Sequence, residues 1–142
     1  MSSKEYLSWD EYTTDIEDIS NNIKDLDNLH LVSIYRGSLG IGAHLSNILD
    51  APLSIVKFQS YDGEDKKVEL LHNAGIKELD NIVILDDIYD TGSTMKKVYD
   101  YFYKECPKAK ISSFTIYGKP GLARNNYTRL HSNNWIVFPW EK

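Results

Sequence analysis

Ile82-Val83-Ile84-Leu85-Asp86-Asp87-Ile88-Tyr89-Asp90-Thr91-Gly92-Ser93-Thr94 is the stretch whose reading decides the fold. Its four consecutive apolar residues read as a strand buried on both faces. Two acids, two spacers and a third acid follow, then a turn of threonine, glycine and serine. An amphipathic run from Met95 to Cys106 comes next and reads as a helix. A strand feeding a glycine- and hydroxyl-rich turn that opens a helix is a ready anion site. The first-turn N–H groups lack intrahelical partners, and the helix dipole favours negative charge there. Three carboxylates directly before such a site point to a ligand with a phosphate, hydroxyls and a divalent cation. Asp86 and Asp87 are neighbours on an extended chain, so their side chains point to opposite sides. They suit two adjacent hydroxyls, or a metal reached through its waters, as Mg²⁺ permits. Asp90, Thr91, Gly92, Ser93 and Thr94 are spaced to wrap the phosphate. A helix cap beside a solvated acidic loop accounts for the acid pair alone, but poorly for the whole ordered stretch.

Working outward, apolar segments alternate with helical periodicity. Ser8-Trp9-Asp10-Glu11 fits a capping box, and Tyr12, Ile16, Ile19 and Ile23 then fall on one helical stripe to about Lys24. Strands are expected over 29–35, 53–58, 82–86 and 111–117, with helices over 38–49 and 92–105. Residues 59–80 lack a clear period and are highly charged, which predicts a long loop with at most a short strand. The alternation predicts an α/β fold, a mostly parallel twisted sheet with helices on both faces. Ligands of such sheets lie outside the carboxyl ends of the strands, so the loops at 36–40, 59–68, 86–94 and 118–124 are the ones to search.

Composition narrows the class. The chain has 142 residues, enough for one domain with a single core. Its net charge of −5 disfavours a general nucleic-acid binder, which needs a basic face. Its single cysteine rules out an internal disulfide, and no apolar run approaches the ~20 residues of a membrane span. A cytoplasmic setting is the expectation.

Residues 81–94 resemble the ribose-phosphate signature of the type I phosphoribosyltransferases. These enzymes join a nitrogenous base to 5-phosphoribosyl-1-pyrophosphate (PRPP) with Mg²⁺ and release pyrophosphate. The resemblance implies that Asp86 and Asp87 bind ribose hydroxyls, that Asp90 faces the base, and that 90–94 cradles the 5′-phosphate. It extends over roughly residues 6–141. Tyr35-Arg36-Gly37-Ser38 is similar to the family's pyrophosphate loop, in which an unusual cis peptide often occurs; without the resemblance it reads as a turn opening the next helix. Ser60-Tyr61 resembles the Ser-Tyr pair of a flexible catalytic loop. Lys67 stands near where the xanthine-guanine branch carries an arginine, which keeps the cation and loses the bidentate fork.

Tyr117-Gly118-Lys119-Pro120 and Trp135-Ile136-Val137-Phe138-Pro139-Trp140-Glu141 resemble the bacterial xanthine-guanine branch. The implied roles are Lys119 donating to a purine 6-oxo group, Trp135 stacking on the ring and the Ile136 carbonyl accepting from a purine amino group. Lysine has donors only and so suits a carbonyl, not the amino group of adenine. Tryptophan offers a broad π face. Glu141 is placed near pyrophosphate or metal, and Trp140 in packing. A surface lysine at a proline turn and a core tryptophan are the plainer readings. The resemblance also implies a hood formed mainly by about 118–142 with the N-terminal segment, a homodimer or homotetramer, and purine salvage on guanine, xanthine or hypoxanthine. A PRPP-binding regulator of the same fold, or an enzyme for another base, stays open at this point.

Overall fold

The computed structural model describes residues 3–59, 67–120 and 125–141. In chain order the elements are β1 (Lys4–Tyr6), α1 (Trp9–Ile23), β2 (Leu29–Ile34), α2 (Leu39–Leu49), β3 (Leu53–Gln59), β4 (Lys67–His72), β5 (Asn81–Ile88), α3 (Ser93–Glu105), β6 (Lys110–Gly118), β7 (Asn125–Leu130) and β8 (Trp135–Val137). A single 3₁₀ turn, Pro139–Glu141, closes the described chain.

Six strands form the main sheet in the order β4-β3-β2-β5-β6-β7. All neighbours are parallel except the antiparallel pair β3–β4. From β2 the chain winds one way to β3, and from β5 it winds the other way to β6 and β7. The topological switch point therefore lies between β2 and β5, where ligands of open α/β sheets bind. The two loops that leave these strands at that point are 35–38 and 89–92.

Strand alternation assigns the two faces. Leu31, Val83 and Leu85 pack with Ile16, Ile19, Ile41 and Leu45 of α1 and α2. Val32, Ile34, Ile82 and Ile84 pack with Met95, Val98, Tyr99 and Phe102 of α3 on the other side. The α1 stripe behaves as its spacing predicts, with Tyr12, Ile16, Ile19 and Ile23 all buried. Each such side chain contributes about 1.5–3 kcal/mol on removal from water. The capping box is complete: Glu11 N–H donates to Ser8 Oγ, and Ser8 N–H donates to Glu11 Oε1.

Three features differ from the sequence expectation. The charged stretch after β3 folds back as a full edge strand, β4, whose Val68 and Leu70 lie against the α3-side core. Its alternation is masked by the charged residues Lys67 and Glu69, which pair with Gln59 and Lys57 across the ladder. Residues 125–130 are the sixth strand of the main sheet, so the segment from 118 onward is divided between the two sheets. The small sheet consists of β1 and β8 alone, paired in parallel with Glu5 opposite Ile136. Tyr99, which shares a helix with Tyr103, is buried, and its hydroxyl donates to Ser113 Oγ.

Candidate active site

The acid pair stands on the last turn of pleat of β5. Alternation puts Asp86 on the α3 face with Ile82 and Ile84, and Asp87 on the α1/α2 face with Val83 and Leu85. Asp86 lines a cavity of about 110 Å³ together with Tyr89, Asp90, Thr91, Gly92 and Thr94. Asp87 instead lies against Gly37 of the neighbouring loop, where a Cβ would stand 2.7 Å from its Oδ2. A side chain at 37 would force the Asp87 carboxylate to move from this position. The pair thus faces two compartments, one at the start of α3 and one at the 35–38 loop.

Burial pushes the Asp86 carboxyl well above the usual carboxylate range, and the charge of Asp87 adds to this. Burial likewise raises Asp87, with a further contribution from Glu141. Both groups therefore prefer a proton or a cation beside them. The folded chain holds protons here that the unfolded chain releases, so stability falls as pH rises from the ordinary carboxylate range to the raised folded value. Asp86→Asn keeps the Oδ1 that accepts from Asp87 N–H. It is expected to stabilise the free protein by about 0.5–2 kcal/mol at pH 8, with a smaller gain at pH 4, while lowering PRPP turnover. Urea denaturation at the two pH values checks this; equal gains would contradict the assigned cause.

The start of α3 carries no side-chain cap. Gly92 is the N-cap of α3 with φ 82°, a left-handed conformation that glycine adopts freely. Thr91 Oγ1 and Ser93 Oγ lie 3.2 Å apart at its mouth. Thr94 lines the same cavity.

The 35–38 loop is tied down from beneath. Ser38 is fully buried; its Oγ accepts from Ile34 N–H at 2.9 Å and lies 2.7 Å from the Leu85 carbonyl oxygen and 3.0 Å from that of Ile34. Ser33 Oγ donates to the Ser38 carbonyl at 2.9 Å. The loop is thus bonded to both strands of the switch point. The peptide between Tyr35 and Arg36 is cis. Arg36 and Gly37 also border a larger cavity of about 520 Å³, lined by Trp9, Tyr12, His44 and Trp140. Ser38→Ala would leave the Ile34 N–H unsatisfied, so it is expected to cost about 1–3 kcal/mol of stability. An unchanged urea midpoint would contradict the role of this hydroxyl.

Lys119 follows β6, the strand beside β5. Its ammonium lies 2.7 Å from Asp90 Oδ1 and donates to Asn133 Oδ1 at 2.6 Å. The hydrogen bond from Lys119 holds the Asp90 carboxyl below the usual range, and the charges of Lys119 and His131 reinforce this. Asp90 is therefore held in its charged form, a shift opposite in direction to that of the pair on β5. Trp135 is 66% exposed, leaving its ring available, whereas the Ile136 side chain is buried. Trp135 N–H donates to the Ser3 carbonyl, and Leu7 N–H donates to the Val137 carbonyl. Residues 135 and 137 thus direct their backbone groups at β1, and strand alternation turns those of Ile136 to the opposite, open edge.

Placement of the remaining candidates is uneven. Glu141 Oε1 accepts from Phe138 N–H in the 3₁₀ turn, and its charge reaches Asp87. Lys67 begins the edge strand β4, with β3 and β2 between it and β5, so it is not brought beside the acid pair. Ser60 and Tyr61 lie outside the described residues. Trp140 stacks on Phe138 with ring centroids 4.9 Å apart, in packing as expected. Asn133 and His131 were not candidates from sequence. They occupy a loop without a motif, and only the fold carries that loop to Lys119 and Asp90.

A doubly wound sheet with an acid pair and an open helix start at its switch point is the architecture of α/β proteins that take phosphorylated ligands. The chain belongs to the phosphoribosyl transferase domain family, which matches residues 2–141. It is similar to a xanthine-guanine phosphoribosyltransferase of Chromohalobacter salexigens, 27% identical over 146 residues that cover 95% of this chain and 82% of the relative. Among solved structures, a purine phosphoribosyltransferase from Pyrococcus horikoshii has a TM-score of 0.81 at 28% identity, over 98% of this chain and 95% of that one. A xanthine-guanine-hypoxanthine phosphoribosyltransferase of Helicobacter pylori, at 18% identity and a TM-score of 0.83, shares the fold.

Proposed function

We propose that this chain transfers the 5-phosphoribosyl group of PRPP to a 6-oxopurine, guanine, xanthine or hypoxanthine, giving the nucleoside 5′-monophosphate and pyrophosphate in purine salvage. The observation that carries this reading is the Lys119–Asp90 pair. It sets a donor-only group, suited to a 6-oxo oxygen, beside an ionised acid at the edge of the phosphate turn. The relatives named for purine substrates point the same way.

The cavity at 90–94 takes the 5′-phosphate on the uncapped N–H groups of α3, with Thr91, Ser93 and Thr94 hydroxyls around it. Asp86 and Asp87 accept from the ribose hydroxyls. Arg36 and the Gly37 backbone face the leaving pyrophosphate. Trp135 stacks on the purine, Lys119 donates to its 6-oxo oxygen, and the outward carbonyl of Ile136 accepts from a 2-amino group.

Mg²⁺ is tested by the donor set. No group of three or more His, Cys, Asp or Glu able to hold a metal is formed among the described residues. Two half-buried acids that favour a neighbouring cation fit Mg²⁺ held through few carboxylates, its own waters and substrate oxygens. Asp86 and Asp87 would hold it through water, with Glu141 nearby. When bound, it supplies charge neutralisation for the departing pyrophosphate.

In the reaction the bond from the anomeric carbon to pyrophosphate oxygen breaks, and its electron pair leaves with pyrophosphate. The imidazole-side nitrogen of the base forms the new C–N bond. Its proton passes to, or is held by, Asp90. Asp86 and Asp87, whose burial makes a neighbouring positive charge favourable, stabilise the charge that develops on the ribose. No helix among the described residues is long and apolar enough to cross a membrane.

The test is product stoichiometry. Incubation with PRPP, Mg²⁺ and guanine is expected to yield GMP and pyrophosphate in equal amounts, and chelation is expected to stop both. Saturable PRPP binding without either product would favour a regulator instead.

A further inference from the structure

We infer that Asn133 is a positioning residue that fixes Lys119, with Asp90, so that one ammonium hydrogen is left for the 6-oxo oxygen of the purine. This deepens the 6-oxopurine reading and rests on it. An ammonium has three donors. One is directed at Asp90 Oδ1 at 2.7 Å and one at Asn133 Oδ1 at 2.6 Å. Among the described residues no other acceptor takes the third, which leaves it for an incoming one. With only Asp90 to hold it, the four-carbon stem would let the ammonium swing around that carboxylate. A second acceptor fixes its direction.

Asn133 is itself held. The turn at 131–134 is anchored where His131 N–H donates to the Gly118 carbonyl, one residue before Lys119. Its other end is anchored where Trp135 N–H donates to the Ser3 carbonyl. Asn133 thus sits on a bridge between the strand that precedes Lys119 and the strand that carries Trp135. It sets the place of the ammonium relative to the stacking ring. Its φ of 67° is left-handed, a conformation that asparagine tolerates better than most residues. In the open site water competes for these bonds. A purine stacked on Trp135 excludes that water and strengthens them.

The same geometry makes Asn133 a selectivity determinant. A fixed donor rewards an oxygen at position 6 and leaves the donor hydrogens of a 6-amino group without an acceptor. A lysine free to swing away discriminates less.

The backbone dictates the test. Asn133→Gly accepts the left-handed φ and removes only the acceptor, whereas Asn133→Asp restores an acceptor at the same place. Calorimetry on the full chain would give dissociation constants for GMP, AMP and ribose 5-phosphate. The expected result for Asn133→Gly is GMP weakened about tenfold, as for one charged hydrogen bond, with AMP and ribose 5-phosphate within about twofold. Asn133→Asp should return GMP to near the wild-type value. In a Lys119→Ala background, Asn133→Gly should have no further effect, because the residue acts through the lysine. An unchanged GMP constant, an equal loss for all three ligands, or the same loss without Lys119 would overturn the inference. A wild-type protein that does not prefer GMP to AMP would instead sink the 6-oxopurine reading beneath it.

Discussion

Asp90→Asn is expected to lower turnover by about 10²–10⁴-fold, the usual contribution of a positioned general base, with the KM for PRPP changed by less than about threefold. The expectation follows from where Asp90 stands. It lies beyond the end of β5, on the lip of the phosphate turn, and contributes its carboxylate outward to Lys119. Asp86 and Asp87 lie below it on the strand, facing the phosphate cavity and the Gly37 loop. Asparagine is isosteric and can still accept from Lys119, so the pocket keeps its shape while losing the charge and the ability to take a proton. Steady-state kinetics with saturating guanine and varied PRPP separates the two effects. Unchanged turnover would remove Asp90 as the proton acceptor. An equal loss in turnover and in PRPP affinity would move it to the ribose-phosphate site.

Lys119→Ala is expected to lower kcat/KM for guanine by about 10–100-fold, the loss of a charge-assisted hydrogen bond, with the KM for PRPP within about twofold. It carries a second, pH-dependent signature. Lys119 is the main cause of the low Asp90 pKa. With Asp90 as the proton acceptor the active form needs it ionised, so activity is expected to fall as pH drops through that pKa. Without the lysine the carboxyl returns towards its ordinary value, and the acid limb of the pH profile moves to higher pH. Asp90→Asn should abolish that limb rather than move it. An acid limb unmoved in Lys119→Ala would show that the pair does not form in the working enzyme, whatever its effect on guanine.

The stretch from 82 to 94 was legible because two signals overlap there. The apolar run identifies a buried strand, and the acids and hydroxyls occupy the short connection to α3, where only local chain direction decides their placement. Alternation alone sends Asp86 and Asp87 in opposite directions, and in the structure Asp86 lines the cavity at the start of α3 while Asp87 lies against Gly37. The capping box was legible because its two partners lie three residues apart, and the α1 stripe because its spacing alone defines the buried face.

Long-range pairing was not legible. The edge strand β4 carries charges at alternate positions, and its apolar residues gain a period only once β3 is known to lie beside it. Residues 125–130 are mostly polar, and their place on the main sheet depends on pairing with β6. The switch point itself is a property of strand order, which local sequence does not carry. Asn133 is the sharpest case. It is 14 residues from Lys119 and has no motif around it, so only the folded turn shows them to be partners.

The most direct test of the central claim is a comparison of kcat/KM for guanine, xanthine, hypoxanthine, adenine and orotate with PRPP and Mg²⁺, followed by ultraviolet absorbance. The predicted result is nucleotide formation with at least one 6-oxopurine, at a kcat/KM at least about tenfold above that for adenine, and none with orotate. Adenine or orotate preferred over every 6-oxopurine, or no nucleotide from any base despite PRPP binding, would contradict it.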